Sequence, residues 1–337
     1  MARRRGRPFT FSDMFAGIGG FRLGLESIGG RCVYAAERDG PCRRTYAEWF
    51  GHEPQGSEMA DVKAEHVPTH DIMTAGFPCQ PFSRAGLRRG FSDPRGNCFR
   101  MLVKILSELG ERQPKAVIFE NVKNIVSHGG GKTFAEVVGT LEGLGYGVHL
   151  MLLDAQDFGV PQRRERAFII GFDLSKMARP KSFKVRAPTL PRKPRVADIL
   201  EDDPPDYTFL DDHLWQYLQD RKAKMRKKGH GFGFGLADLN GVARTLNARY
   251  YKDGAEILIP RRGKNPRRLS PREAARLMGF PDGLPLPIAV RGSEKGDGSW
   301  RMSRTQAYRQ FGNAVVPAVA AAVGRQVVHH LNSFGLL

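Results

Sequence analysis

Strand and helix signals alternate along the first half of this chain, and the alternation limits the possible folds more than any other feature. Predicted strands lie at 9–15, 32–37, 71–75, 116–120 and 166–172, and predicted helices lie between them at 20–28, 41–50, 97–109 and 132–144. Strands that alternate with helices are typical of a parallel sheet covered by helices on both faces. The sequence therefore predicts an α/β fold with a mostly parallel, doubly wound sheet.

The second half changes character after about Asp173. Five prolines interrupt the segment 188–205, a basic cluster occupies 221–228, and a glycine-rich run follows at 229–235. These features predict a small, loop-rich domain. Regular structure resumes at Ser270, where Ser, Pro and Glu at the first, second and fourth positions form a capping box that opens a helix through Met278. An Ala- and Val-rich helix is predicted at 315–331.

Charge and cysteine content limit the partners. The 337 residues carry 53 Lys and Arg against 35 Asp and Glu, a formal net charge of +18, which favours a polyanionic partner such as nucleic acid. No apolar run approaches a membrane span, so no membrane partner is expected. The basic first seven residues are either an arm that touches phosphate or a solvated tail. The four cysteines show no metal-ligand spacing, which predicts reduced thiols, a cytoplasmic protein and no metal site.

One of these cysteines, Cys79, lies on a Pro-flanked loop directly after a predicted strand. The loop, residues 76–83, reads Gly-Phe-Pro-Cys-Gln-Pro-Phe-Ser. Ligands of open α/β sheets bind at the carboxyl ends of the strands, so a thiol there is a candidate nucleophile. Taken alone, Cys79 could equally be a small buried hydrophobic residue.

The loop belongs to a series of motifs in a fixed order. They are Asp-Met-Phe-Ala-Gly-Ile-Gly-Gly-Phe at 13–21, Glu37, the Cys79 loop, Glu-Asn-Val at 120–122, Gln-Arg-Arg-Glu-Arg at 162–166, the segment 268–276, and Gln-Phe-Gly-Asn-Ala-Val-Val-Pro at 310–317. Together they resemble the bacterial DNA (cytosine-5)-methyltransferase family, over nearly the whole chain. The resemblance implies the S-adenosylmethionine-dependent methyltransferase fold with a small target-recognition domain. We expect a catalytic domain at 1–180 and 304–337, a recognition domain at 181–285, and a linker at 286–303.

The resemblance also implies the cofactor. The Gly17–Gly20 loop lets backbone approach a ligand, but Arg22 stands where a dinucleotide fingerprint needs its third glycine. Glu37 ends the second strand, where a carboxylate can accept ribose hydroxyls in nicotinamide and S-adenosyl-L-methionine enzymes alike. The resemblance selects S-adenosyl-L-methionine, with S-adenosyl-L-homocysteine as product. It assigns the contacts to Phe15, Gly17, Ile18, Gly20, Glu37, Asp61, Val62, Pro78, Asn313 and Val315.

The chemistry implied is attack on a flipped cytosine. Cys79 supplies the thiolate that adds to carbon 6, and Glu120 is the acid at N3. Arg164 and Arg166 supply positive charge near the thiolate and the base. Without the family context, Glu120 would be an ion-paired carboxylate at a strand end and the arginines a solvated basic turn.

Contacts to DNA are predicted from the same resemblance. The candidates to fill the space left by the flipped base are Arg84, Ala85 and a residue of the run from His230 to Phe234. Arg95 and Thr245 match positions that contact phosphate.

Four functions compete at this point. The first is a DNA cytosine-5 methyltransferase acting on a short duplex site, and the second is a tRNA cytosine-5 methyltransferase of the same fold; the basic segment 173–267 favours DNA. A binding protein without catalysis would not need Cys79, Glu120 and Arg164. A nicotinamide oxidoreductase would explain nothing after Cys79.

The segment 243–254 resembles bacterial enzymes that modify the inner cytosine of CC(A/T)GG or related CC-starting sites. We further expect a monomer in the bacterial cytoplasm, associated with the nucleoid, with a cognate restriction endonuclease as a possible companion.

Overall fold

The computed structural model describes residues 8–77, 98–229, 233–289 and 300–337. The chain divides into two compact units. Unit 1 comprises Met1–Leu153, Glu165–Ala187 and Val315–Leu337, and unit 2 comprises Asp154–Arg164 and Pro188–Ala314. The domain limits drawn from the sequence stay a prediction.

A six-stranded sheet forms the centre of unit 1, in the order β2-β1-β3-β4-β6-β5. Strands β1, β2, β3 and β4 run parallel, and β6 runs antiparallel to β4. The mostly parallel α/β prediction is therefore confirmed, although β5 was not foreseen. The strands are β1 (Thr10–Met14), β2 (Arg31–Ala36), β3 (Ile72–Gly76), β4 (Ala116–Val122), β5 (Tyr146–Asp154) and β6 (Glu165–Asp173).

The helices of unit 1 pack against the sheet through their apolar faces. The described helices are α1 (Gly20–Glu26), α2 (Gly40–Phe50), α3 (Cys98–Leu109), α4 (Lys132–Gly143), α5 (Asp212–Lys227), α6 (Pro271–Leu277), α7 (Arg304–Asn313) and α8 (Pro317–Ser333). In α3 the residues Leu102, Ile105, Leu106 and Leu109 recur at helical spacing and are buried in one core cluster with strand residues such as Val117.

Small residues bring α8 against α1 within unit 1. A Cβ atom on Gly24 would lie 2.6 Å from the Pro317 carbonyl oxygen, and one on Gly324 would lie 2.3 Å from Leu25 Cδ2. The close approach therefore depends on glycine at both positions.

Unit 2 contains a two-stranded antiparallel sheet, β7 (Leu258–Arg261) and β8 (Lys264–Arg268), with helices α5, α6 and α7. The predicted capping box is confirmed: the Ser270 hydroxyl accepts from the Glu273 N–H, and the Glu273 carboxylate accepts from the Ser270 N–H. Helix α5, which runs for 16 residues at 212–227 in this unit, was not foreseen from the sequence. Leu218 is the only buried residue of α5, because most of the helix faces solvent and carries polar side chains. The segment therefore has only a weak apolar periodicity in the sequence.

One helical stretch, Arg304–Ser333, is long and apolar enough to pass a length-and-composition test for a membrane span, with a mean hydropathy of 1.3. Within its most apolar window, 72% of the surface is buried inside the protein, which is the environment of a core helix.

Candidate active site at the carboxyl edge of the sheet

The predicted site residues of unit 1 collect where its parallel strands end. Pairing aligns Met14 of β1 with Ala36 of β2 and Ala75 of β3, and aligns Gly76 of β3 with Glu120 of β4. Carboxyl ends of neighbouring parallel strands share one edge of a sheet, which is where ligands bind in such folds.

The loop after β1 has an unusual backbone. Phe15 has φ of 57°, the one positive value among the described residues other than glycine, and a bulky residue in this region is strained. Gly17 follows with φ of 55°. A Cβ on Gly20 would lie 2.3 Å from the Val315 carbonyl oxygen, so only glycine fits there. The predicted cofactor residues Phe15, Gly17 and Gly20 thus belong to one tightly determined turn, and Val315 packs against it.

Glu37 faces this turn from the end of β2. Its Oε2 accepts from the Gly17 N–H at 2.8 Å and its Oε1 from the Asp39 N–H at 2.7 Å. Burial raises the pKa of Glu37, although the two N–H groups oppose that effect. Each carboxylate oxygen keeps further acceptor capacity. A Cβ on Gly17 would meet no described atom within 4 Å. The two hydrogen bonds fix the Glu37 carboxylate at the carboxyl edge of the sheet, and its remaining acceptor capacity fits a hydroxyl-bearing ligand such as a ribose.

The remaining predicted cofactor residues lie in different surroundings. Ile18 and Val62 are buried, while Asp61 is exposed at the end of a 3₁₀ turn, Met59–Asp61. Asn313 is the last residue of α7 and belongs to unit 2.

Asp13 is a buried acid that the sequence analysis did not assign. It lies in the middle of β1 and is 1% exposed. Its Oδ1 accepts from the Thr74 hydroxyl at 3.0 Å, and its Oδ2 has no hydrogen-bond partner among the described residues. Desolvation raises its pKa from 3.8 to about 7. An Asp between Phe11 and Met14 of a predicted buried strand was the available sequence signal.

Glu120 and Arg166 form the charged pair of the edge. Glu120 is 8% exposed, and the Arg166 Nε lies 3.1 Å from its Oε1. The antiparallel pairing of β6 with β4 places Arg166 opposite Val122, two residues beyond Glu120. The structure brings these two predicted catalytic residues together.

Asn121 ties the end of β4 to the segment that leads towards the predicted nucleophile. Its Nδ2 donates to the Phe77 carbonyl oxygen at 2.9 Å, and the side chain is 2% exposed. Phe77 is the last residue described before Pro78. In the sequence, Asn121 was recognised only as part of a motif, and its hydrogen bond to Phe77 was not predicted.

Six predicted residues lie outside the described part of the chain: Pro78, Cys79, Arg84, Ala85, Arg95 and His230. Their roles stay predictions.

Arg164 has surroundings unlike those expected of a base-contacting group. It is 2% exposed and belongs to unit 2, where its guanidinium donates to the carbonyl oxygens of Leu246, Gly312 and Ala314 at 2.9 to 3.1 Å. This arrangement favours a positioning role, since two of the acceptors flank Asn313.

Thr245, predicted to contact phosphate, uses its hydroxyl to donate to the Arg163 carbonyl oxygen at 2.6 Å. The Thr245 hydroxyl oxygen can still accept a hydrogen bond, but its proton is already used in the bond to Arg163. A hydrogen bond to phosphate at this place therefore needs another donor.

A sequence profile for C-5 cytosine-specific DNA methylases matches residues 9–329. The chain belongs to the C-5 cytosine-specific DNA methylase family. It is a DNA cytosine-5 methyltransferase with DNA as substrate and a methyl donor of the S-adenosylmethionine type.

Related methyltransferases match this chain over nearly its full length. The type II methyltransferase M.NlaX of Neisseria lactamica is 42% identical over 95% of this chain and 96% of its own. The type II methyltransferase M.DsaV of Dactylococcopsis salina is 40% identical over 97% of this chain and 88% of its own. The structure of the Entamoeba histolytica methyltransferase EhMeth superposes with a TM-score of 0.72 at 17% identity, covering 96% and 98% of the two chains, and confirms the fold.

Membership in the C-5 cytosine-specific DNA methylase family removes the nicotinamide oxidoreductase from the competing functions. The glycine turn and Glu37 are therefore elements of a methyltransferase, as the motif order predicted.

Proposed function

We propose that the protein methylates carbon 5 of one cytosine within a short duplex DNA site, through a covalent adduct between Cys79 and carbon 6. The observation that carries the proposal is the Glu120–Arg166 pair, 3.1 Å apart at the sheet edge that also bears Glu37 and the glycine turn. Glu120 as the acid, Arg166 as the cation and Glu37 as the ribose-binding carboxylate lie at one edge of the sheet. This arrangement suits a site that holds a cytosine base next to a methyl donor.

The Cys79 thiolate adds to carbon 6, forming a C–S bond, while Glu120 donates a proton to N3, so that electron density reaches carbon 5. S-adenosyl-L-methionine, held by Glu37 and the glycine turn, would supply an electrophilic methyl group; carbon 5 would form the new bond to that methyl as its bond to sulfur breaks, giving S-adenosyl-L-homocysteine. Loss of the carbon 5 proton to water then expels the thiolate and restores the aromatic ring. N3 returns its proton to Glu120.

Arg166 and burial act on Glu120 in opposite directions. A cation at 3.1 Å favours the carboxylate, and removal of water favours the neutral acid. We infer that a flipped base covering this edge desolvates Glu120 further and supplies the N3 acceptor, so the proton moves only when substrate is present.

The cofactor contacts follow from the same geometry. Glu37 holds the ribose, the turn from Phe15 to Gly20 holds the amino acid part by its backbone, and Val62 and Val315 supply apolar contact. The family resemblance adds Asn313 to these contacts, and within unit 2 Arg164 holds the carbonyl groups on either side of Asn313.

The biological setting is part of the proposal. The names of the relatives M.NlaX and M.DsaV support a role in type II restriction-modification, in a bacterial cytoplasm and with a cognate endonuclease. We retain the expectations of a monomer associated with the nucleoid and of a CC-starting target.

A duplex oligonucleotide containing 5-fluorocytosine tests the nucleophile. The fluorine at carbon 5 cannot leave as a proton does, so the adduct is trapped. We expect trapping by the parent chain and by Cys98→Ser, and none by Cys79→Ser, which should still bind S-adenosyl-L-homocysteine. Trapping by Cys79→Ser would overturn the assignment.

The tRNA alternative has less support, because the family profile that matches residues 9–329 is that of C-5 cytosine-specific DNA methylases. Transfer of a tritiated methyl group to tRNA in preference to duplex DNA would favour it.

A further inference from the structure

A basic turn ends helix α5. Six of the eight residues between 221 and 228 are Lys or Arg and none is acidic. Two of the six have partners within unit 2: Arg221 lies 2.8 Å from an Asp253 oxygen, and the Lys222 Nζ lies 4.0 Å from the centre of the Phe234 ring. We call the other four, Lys224, Arg226, Lys227 and Lys228, the basic turn.

Helix α5 is anchored at the opposite end from the basic turn. Leu218 is fully buried against Leu210 and Leu258, and Leu214 and Trp215 pack beside this cluster. The N-cap Asp211 accepts from the Leu214 N–H at 2.7 Å. The anchoring contacts therefore leave the last turn free to project from unit 2.

The basic turn carries more charge than helix stability explains. All four side chains are exposed, and no carboxylate of the described residues lies within 4.0 Å of their charged atoms. Lys224, Arg226 and Lys227 lie in the last turn, where a cation is favoured by the helix dipole, but neighbouring cations repel one another and offset that gain. Four adjacent cations without counter-ions indicate an anionic partner.

The basic turn also adjoins the glycine-rich run 229–235. Gly229 leaves α5 with φ of 75°, and its N–H donates to the Arg226 carbonyl oxygen at 3.1 Å. At the far end, a Cβ on Gly233 would lie 2.4 Å from Lys222 Cβ, so glycine is needed for the chain to return against α5. Phe234 then packs on Trp215, with ring centres 4.8 Å apart. Both described ends of the run are thus fixed to the helix that bears the basic turn.

We propose that the basic turn binds the phosphate backbone of duplex DNA. This inference rests on the proposed function in taking duplex DNA as the substrate. Exposed Lys side chains suit phosphate, because they present mobile point charges that need no fixed geometry. Contacts of this kind position a protein on DNA and carry no sequence information. The basic turn is therefore a positioning element, separate from base recognition.

The triple variant Lys224→Gln, Lys227→Gln, Lys228→Gln tests the proposal. Each lost phosphate contact makes the slope of log affinity against log salt shallower by about 0.9, so we expect a change of up to about 2.7. Affinity should fall by the same factor for duplexes with and without the target sequence. Methyl transfer in a single turnover at saturating DNA and low salt should match the parent.

A matched control removes equal charge elsewhere. Arg31, Lys184 and Arg325 are exposed residues of unit 1, and their Gln triple variant should keep the parental slope. Thermal melting by circular dichroism should show both variants folded. The proposal is overturned by an unchanged slope in the α5 variant, by an equal change in the control, or by a loss confined to target DNA. Because the readout is binding, failure here would leave Cys79 trapping, and hence the proposed function, intact.

Discussion

Buried charge is handled differently in the two units of this protein. In unit 1, desolvation raises the pKa values of Asp13 and Glu37. One oxygen of Asp13 has no hydrogen-bond partner among the described residues. In unit 2, the Arg267 guanidinium donates to both oxygens of Glu273 at 2.7 Å, and the Ser270 and Glu201 N–H groups donate to the same carboxylate.

The difference distinguishes a buried ion pair that stabilises the fold from buried acids that belong to a functional site. A buried ion pair is tolerated when good geometry and further hydrogen bonds offset its desolvation, as at Arg267 and Glu273. Buried acids whose pKa is raised by desolvation are typical of functional sites. Asp13 and Glu37 lie near the carboxyl edge of the sheet, at which we propose that the methyl donor binds, whereas Glu273 of unit 2 fixes a hairpin to a helix cap.

A single motif contributes cations to both units. In Gln-Arg-Arg-Glu-Arg, Arg166 pairs with Glu120 in unit 1, and Arg164, two residues earlier, donates to three carbonyl groups in unit 2. Three substitutions test whether this contrast is correct.

The largest expected effect is on catalysis. Glu120→Gln keeps the shape of the side chain but cannot donate a proton to N3, so turnover should fall about 10²–10⁴-fold with DNA affinity retained. Glu165→Gln is the matched control, because Glu165 is exposed on the same strand as Arg166 and pairs with Lys123 at 2.8 Å. A loss below about tenfold, roughly 1.4 kcal/mol of barrier, would contradict the role of Glu120.

The second effect is on stability. Arg164→Lys cannot reach three carbonyl groups at once and leaves buried acceptors without donors, so the free energy of unfolding should fall by about 2–3 kcal/mol. Urea titration measures this loss, and the exposed neighbour Arg163→Lys should show almost none. In the fraction that remains folded, we expect a raised KM for S-adenosyl-L-methionine and nearly normal kcat.

An Arg164→Lys variant of normal stability that lost only kcat would reverse this interpretation. It would return Arg164 to the base-contacting role predicted from the sequence.

The smallest effect depends on pH. Asp13 has a pKa of about 7 when folded against a usual 3.8, so the folded state binds more protons than the unfolded state between these values. The stability of the parent should therefore fall as pH rises from about 4 to 7. Asp13→Asn removes this dependence, and its gain in unfolding free energy should be about 1–3 kcal/mol larger at pH 8 than at pH 5. Equal differences at the two pH values would show that Asp13 is ionised throughout.

Local pattern was sufficient for much of the fold. The alternating strands and helices, the turn from Phe15 to Gly20 and the Ser270 capping box all depend on residues close together in the chain, so their signals survive in the sequence. Glu37 and Glu120 could be placed at one edge for the same reason, because each ends or nearly ends a parallel strand.

By itself, the sequence determined the α/β class, the order of its elements, the family and the identity of the charged groups at the sheet edge. Tertiary structure decided which of those groups are fully compensated, since their partners come from distant segments: Arg164 reaches the Leu246 carbonyl, 82 residues away. It also decided that β6 runs antiparallel, that a weakly amphipathic segment forms α5, and that Asp13 loses its water. Burial and long-range pairing are properties of the packed chain, and no short pattern records them.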